Sequence, residues 1–430
     1  MNAVDLMRAS FDAAVAAADP LRIVANCLPD RPLGRVLVVG AGKAAASMAL
    51  AVERAWPDVL LEGVVITRYA HGLPTARIRV VEAGHPVPDA AGESATREIL
   101  ERVSDLRRDD LLLVLVSGGG SSLLSLPVPD VSMYALKSVT GMLLASGAPI
   151  GEMNIVRKHL SQIAGGRLAA AAAARDAQVL ALIISDVTGD SPTDIASGPC
   201  APDPSTCADA LAVLSRWKVS APAEVFTWLQ RGAEGEVPET PKPNDPLFAR
   251  VENRVIATAH RSLEAAAEVF RSAGVTAVVL GDTVTGEARE VAKVYAALVR
   301  EIRTHNQPFK PPVALISGGE CTVTLPAGTP GRGGRCTEFL LSLAIELDGM
   351  PDVHALACDT DGIDGSENNA GALLTPDSFD RAAGHGVAAP DVLVEHDAYG
   401  YFETARQLIV TGPTRTNVND YRVILIGRAT

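Results

Sequence analysis

Three stretches of this chain place glycines and polar side chains directly after a short apolar run. Residues 36–39 lead into Gly40-Ala41-Gly42-Lys43, residues 111–116 into Ser117-Gly118-Gly119-Gly120-Ser121-Ser122, and residues 314–316 into Ser317-Gly318-Gly319-Glu320. Beyond the carboxyl end of a strand, such loops can hold an anion. Glycine lets backbone N–H groups approach it, and a following helix adds its positive end. Several of them in one chain point to a phosphate-rich ligand. Lys43 stands at an expected helix start, where the dipole disfavours a cation unless an anion lies between. Asn154, Arg157 and His159 gather donors just ahead of an expected helix at 160–175. They read either as convergent anion ligands or as a solvated helix start. Arg332 and Arg335, in Gly331-Arg332-Gly333-Gly334-Arg335, offer planar forks that match phosphate or carboxylate.

The acidic groups sit at strand ends as well. Asp186 and Asp190, in Ser185-Asp186-Val187-Thr188-Gly189-Asp190, close a strongly apolar run. There they suit Mg²⁺ held through waters, with an Asx turn or a helix cap as the plainer reading. Glu320 joins them as a candidate metal ligand. Asp359, Asp361 and Asp364 begin like a calcium loop, but Ala370 stands where that loop needs glutamate, and a strand leads in rather than a helix. They are read as a secondary acidic site. Gly40 to Ala45 fits G-x-G-x-x-A, a weak dinucleotide signal. The second strand ends Ile66-Thr67-Arg68, without the acid that would hold an NAD ribose, although Arg68 could suit NADP. No Walker A loop, H-E-x-x-H or G-x-S-x-G pattern occurs.

Positioning these groups requires alternating strands and helices. Strands are expected at 35–39, 62–67, 77–82, 111–116 and 179–185, and helices at 4–19, 43–56, 89–104, 132–146 and 160–175. This alternation signals a doubly wound parallel sheet. The Pro-, Glu- and Gly-rich segment 233–249 marks a boundary. Beyond it, strands at 254–258, 275–280, 313–317, 353–358, 408–411 and 421–426 and helices at 261–273 and 285–304 suggest a second α/β unit. Residues 326–335 read as a mobile Gly-Pro loop. No repeat of fixed period appears.

The 430 residues suffice for two or three domains, and 47% hydrophobic content with 4% aromatics suits an α/β fold. A net charge of −13 without a basic block argues against nucleic acid and anionic membranes as partners. The six scattered cysteines read as thiols of a reducing compartment. Charged residues in the first helix are unlike a signal peptide, and no uncharged apolar run reaches membrane-span length. A cytoplasmic protein is expected.

Seven motifs, VVGAGKAA, VSGGGSSLL, NIVRKHLSQIAGGRLA, SDVTGDSPTDIASGP, SGGECTVTL, GRGGR and VTGPTRTNVND, follow one another between residues 35 and 420. Together they resemble glycerate 2-kinases of the MOFRL type. The resemblance implies a Rossmann-like doubly wound domain over 1–240, a smaller α/β MOFRL domain over 250–430, and an active site in the cleft between them. It implies ATP-dependent phosphorylation of D-glycerate on its 2-hydroxyl, with Mg²⁺ or another divalent cation, giving 2-phospho-D-glycerate and ADP. The family's functional lysine and loop arginine fall on Lys43 and Arg335, and Asp190 joins them as a catalytic candidate. Gly42, Ser117 to Ser122, Asn154, Arg157, His159, Gly318 and Gly319 are the expected substrate and phosphate ligands. A homodimer is compatible with this reading. The chain departs from the family at Ala164, in place of a lysine, at Cys336 and Thr337 after the loop arginine, at Asn368 in place of an aspartate, and at Arg415 in place of a glycine. Two rival readings remain: an NAD(P)H-dependent hydroxypyruvate reductase, and a non-catalytic sugar-acid or nucleotide sensor.

Overall fold

The computed structural model describes residues 2–326 and 331–427. The chain divides into two compact units, Pro20–Ile256 and Met1–Asp19 together with Ala257–Thr430.

The first unit is built on six strands: β1 Val36–Ala41, β2 Leu61–Arg68, β3 Ile78–Ala83, β4 Leu111–Val116, β5 Gln178–Ile184 and β6 Val251–Ala257, in the spatial order β3-β2-β1-β4-β5-β6. β1 runs parallel to both β2 and β4, and β4 parallel to β5. Every residue of β1 and β4 is buried. That explains their unbroken apolar sequence, since a parallel sheet covered on both faces has no solvent side to alternate toward. Helices Ala45–Ala55, Ala90–Ser104 and Arg167–Ala173 are among those that flank it.

The expected helix at 160–175 shrinks to Arg167–Ala173, and an unexpected helix, Ile150–His159, precedes it. Between them Gly165 and Gly166 adopt φ of 59° and 84°, and the Ser161 hydroxyl accepts from the Ile163 and Ala164 amides. Asn154, Arg157 and His159 therefore lie in the last two turns of a helix, not ahead of one. The expected strand at 254–258 is β6 and belongs to this first sheet. The segment taken as a boundary carries Leu247 and Phe248, which pack on the first core with Val251 and Val255. The chain therefore leaves this unit only after adding a last strand.

The second unit carries β7 Thr276–Gly281, β8 Gly286–Glu287, β9 Val313–Ser317, β10 Cys321–Thr322, β11 Val353–Asp359, β12 Gly371–Leu374, β13 Leu408–Ile409 and β14 Asp420–Ile426. Its main sheet has the order β13-β12-β11-β14-β9-β7, and β8 pairs with β10 apart from it. β7 and β9 are parallel, whereas β14 is antiparallel to both β9 and β11. Successive residues of β9 serve opposite faces: Val313 and Leu315 enter one core, Ala314 and Ile316 the other. The expected N-terminal helix forms as Ala3–Ala17 but packs in this second unit. Phe11 stacks near Tyr421 at 5.9 Å, and the Ser10 hydroxyl bonds the Tyr421 hydroxyl at 2.7 Å. β12 and the helices Ser378–Ala383 and Ala389–Val394 escaped the sequence reading because each is short. Of the loop expected at 326–335, residues 327–330 lie outside the described residues. All six cysteines are free thiols. Among the described residues no helix is long and apolar enough to cross a membrane.

Candidate active site

The order β3-β2-β1-β4-β5-β6 reverses between β1 and β4, and such a switch point leaves a crevice beyond the carboxyl ends of the two strands. The loops flanking it are Gly40 to Lys43 and Ser117 to Ser122, and they are laced together. The Lys43 amide donates to the Gly118 carbonyl at 2.8 Å, the Ser117 amide to the Ala41 carbonyl at 3.2 Å, and the Ala44 amide to the Ser117 hydroxyl at 3.0 Å. A Cβ on Gly42 would stand 2.1 Å from the Ser117 Oγ, so glycine there serves the close approach of the two loops. With the Gly42 amide on the Ile66 carbonyl and the Ala45 amide on the Gly42 carbonyl, four successive amides are committed within the protein. In the second loop the amides of Gly118, Gly119 and Ser121 meet no acceptor among the described residues. Gly119 turns at φ 80°, with the His85 ring 2.8 Å from where a Cβ would sit. Lys43, half-buried, starts the turn into the helix Ala45–Ala55.

A small polar cavity opens beside this loop. Ser121, Arg157, Ser161, Ala164, Ala196 and Ser197 are among its walls. The Ser121 and Ser197 hydroxyls are 2.9 Å apart. Ala196 and Ser197 both hold left-handed backbone, φ 51° and 57°. That conformation costs a non-glycine residue roughly 1–2 kcal/mol and clusters where function requires it. The loop before the helix Arg167–Ala173 is fastened to this corner, the Gly165 amide donating to the Ser197 carbonyl at 2.9 Å. The Arg157 side chain makes a single long bond, 3.5 Å to Asn154 Oδ1, and no carboxylate among the described residues pairs with it. Burial lowers its pKa to about 10.

His159 lies elsewhere. Its ring is fully buried, with Nδ1 2.8 Å from the Ile155 carbonyl and Nε2 3.0 Å from Glu239. Burial alone would push Glu239 up, but His159, the Cys207 amide and Lys242 outweigh it and hold the carboxyl at about 2. His159, Cys207 and Glu239 bring ligand atoms within 4.8 Å of one another. Burial and Glu239 push the thiol up to about 12, and the Lys242 ammonium stands 3.3 Å from Glu239. The cluster is therefore an ion-paired brace. Asp186 and Asp190 follow β5 at the carboxyl edge shared with β1 and β4. Asp190 is half-buried at φ 52°, and its carboxylate has no partner among the described residues.

In the second unit Arg335 is the first residue of the helix Arg335–Leu347 and holds three carboxylates. Nε donates to Asp420 at 2.7 Å, one terminal nitrogen to Glu320 at 2.7 Å and the other to Asp359 at 2.8 Å. Those acids raise its pKa against the opposing effect of burial. Asp420 escaped the sequence reading. It faces Asp359 because β14 is antiparallel to β11, an orientation no local pattern announces. Asp420 also pairs with the buried Arg422 at 2.6 Å, and Arg422 donates to the Gly318 and Gly319 carbonyls. Asp364 caps the helix, accepting from the Cys336 and Thr337 amides at 2.9 and 2.8 Å and from the Thr337 hydroxyl at 2.7 Å. Burial raises its carboxyl to about 6 against those bonds. Asp361 accepts from the Ile363 amide within its own loop. The departures at Cys336 and Thr337 are thus absorbed by the helix start. Arg415 sits at φ 60°, a conformation glycine would take without strain. Ser161, Ser197 and His85 also escaped the sequence reading. Ser161 and Ser197 lie within two of the quoted motifs, which was the available signal.

Residues 6–230 match DUF4147, a domain of unknown function, and residues 313–420 match the MOFRL family. A glycerate 2-kinase of Pyrococcus horikoshii is 38% identical over 96% of this chain and 95% of its own. A crystal structure of glycerate kinase from Thermotoga maritima superposes with a TM-score of 0.86 at 37% identity, covering 98% of this chain and 99% of that one. An Agrobacterium vitis relative, 49% identical over 99% of this chain and 95% of its own, carries a provisional hydroxypyruvate reductase name. The fold, the paired loops and these relatives together define an α/β kinase. This chain belongs to the MOFRL-type glycerate 2-kinase family.

Proposed function

We propose that this kinase transfers the γ-phosphoryl group of ATP to the 2-hydroxyl of D-glycerate, giving 2-phospho-D-glycerate and ADP. The observation that carries the reading is the set of unanswered donors at the β1/β4 switch, namely the Gly118, Gly119 and Ser121 amides and the acid-free Arg157. The hydroxyl oxygen forms a bond to the γ-phosphorus, the bond to the bridging oxygen breaks, and ADP leaves. Lys43 neutralises charge on the transferred group, where phosphoryl transfer needs it most, and Arg335 is a second cation proposed for phosphate charge. Asp190 accepts the hydroxyl proton or holds a divalent cation through water. Its unpartnered carboxylate fits either task, whereas Glu320 is tied to Arg335. A bound divalent cation would neutralise phosphate oxygens.

The relative's reductase name keeps a second reading in view. Against it, the amides that would cradle a dinucleotide pyrophosphate are committed within the protein, and β2 ends in Arg68 rather than the acid an NAD ribose takes, which leaves only NADP to that reading. A coupled ADP-release assay with D-glycerate, ATP and Mg²⁺, with the product's phosphate placed by NMR, tests the proposal. Glycerate-dependent ADP with phosphate on carbon 2 is expected. No release, together with NAD(P)H oxidation by hydroxypyruvate, would overturn it.

A further inference from the structure

The cavity beside Arg157 is small. Its free volume is about 20 Å³, against the roughly 10–15 Å³ that one water needs, which matches the two oxygens of a carboxylate. Its walls are one guanidinium and four serines, set among Leu124, Leu136 and two alanines. Ser161 already accepts two amide bonds, so its O–H is free to donate inward. Ser121 and Ser197 share one hydrogen between their oxygens, which leaves the other O–H available. The inner surface is therefore rich in donors and holds no acidic side chain. Arg157 is a bidentate donor without an acid, and a guanidinium in that state is satisfied by a planar carboxylate. The left-handed backbone of Ala196 and Ser197 shows that the wall is held in place at a cost.

We propose that this cavity is the carboxylate subsite for the acceptor, with Arg157 gripping a small 2-hydroxy acid by its carboxylate and Ser121, Ser161 and Ser197 closing round it. The proposal rests on the glycerate reading and adds to it the site's chemical filter. The ligand must end in a free carboxylate, and its phosphorylated end lies outside this cavity. Ala164 completes the wall as the smallest chiral side chain. A larger residue there would fill the space without touching the charge.

Calorimetry on the full chain tests it, with D-glycerate, glycerol, lactate and inorganic phosphate as probes, without nucleotide and with a non-hydrolysable ATP analogue. D-glycerate and lactate should bind, glycerol should not, and inorganic phosphate should not compete. Arg157→Gln should weaken glycerate at least about tenfold, as expected for losing a charge-assisted bidentate contact, and leave the ATP analogue unchanged. Ala164→Leu should do the same by volume and serves if the arginine variant does not fold. Competition by phosphate, loss of nucleotide rather than glycerate affinity, unchanged glycerate binding in both variants, or no carboxylate binding under either condition would each overturn the proposal. The kinase reading fails separately. Carboxylate binding that depends on Arg157, without glycerate-dependent ADP release, would leave the subsite standing. ADP release with an unchanged glycerate KM in both variants would leave the kinase and remove the subsite.

Discussion

Arg157 and Arg335 carry the same side chain into opposite surroundings. Arg157 faces serine hydroxyls and meets no carboxylate among the described residues, whereas Arg335 is held by Asp420, Asp359 and Glu320. A partly buried cation without a counter-charge is costly until an anion arrives, which suits the receptor role proposed for the first arginine. The second ties together the start of β14, the end of β11, the loop after β9 and the head of a helix. Its three carboxylates are unequal. The side chains of Asp420 and Asp359 are 0% and 6% exposed, and that of Glu320 is 56% exposed. An incoming phosphate could exchange with Glu320 and leave no buried charge behind. It could not exchange with the other two without stranding one.

The comparison breaks most severely at Lys43, which belongs with the receptor half. Lys43→Met should lower turnover by roughly a thousandfold or more, as for loss of a transition-state charge contact, while the melting temperature stays put. Turnover near wild type would remove Lys43 from the chemistry. Asp420→Asn should act in the reverse sense. It leaves Arg335 and the buried Arg422 short of their shared acid, and breaking a buried pair costs roughly 3–5 kcal/mol. The chemical-denaturation midpoint should fall accordingly. Glu320→Gln removes an exposed partner, and its stability cost should stay within about 1 kcal/mol. If Glu320 is the exchangeable member, this variant keeps its fold and binds the ATP analogue at least as tightly as wild type. A Glu320 variant as unstable as Asp420→Asn would erase the distinction between the three acids.

The asymmetry also marks how far the sequence could be read. β1, β4 and β5 were legible because a buried parallel strand is a continuous apolar run, and the loops at their ends announced themselves by glycine. Arg157 and Arg335 were both found as candidate anion ligands. What separated them was not local. Asp420 reaches Arg335 through an antiparallel pairing of β14 with β11 more than sixty residues away. Ser161 and Ser197 reach Arg157 through a loop fastened by backbone bonds. His159 was misplaced for a related reason. The break at Gly165 and Gly166 turned an expected helix start into a helix end, and Glu239, its partner, stands in the segment taken as a domain boundary.

Glu239 supplies the prediction with the sharpest sign. Its folded carboxyl sits at about 2 against a usual 4.5. A depressed carboxyl stabilises the fold when ionised. Its contribution is therefore complete above about 4.5 and is lost as pH falls from there toward 2. Asp364 runs the other way. Raised from 3.8 to about 6, it favours the fold below its unfolded value and loses that contribution as pH rises through about 6. Acid loss below pH 4.5 thus cannot come from Asp364 and is expected from Glu239 together with the other depressed carboxyls, Glu53 and Asp89 among them. Denaturation midpoints of wild type and Glu239→Gln, followed from pH 7 to pH 3, should differ at neutral pH and converge as the pH drops below 4.5. A constant offset between the two curves would mean that His159, Cys207 and Lys242 hold Glu239 by packing rather than by charge.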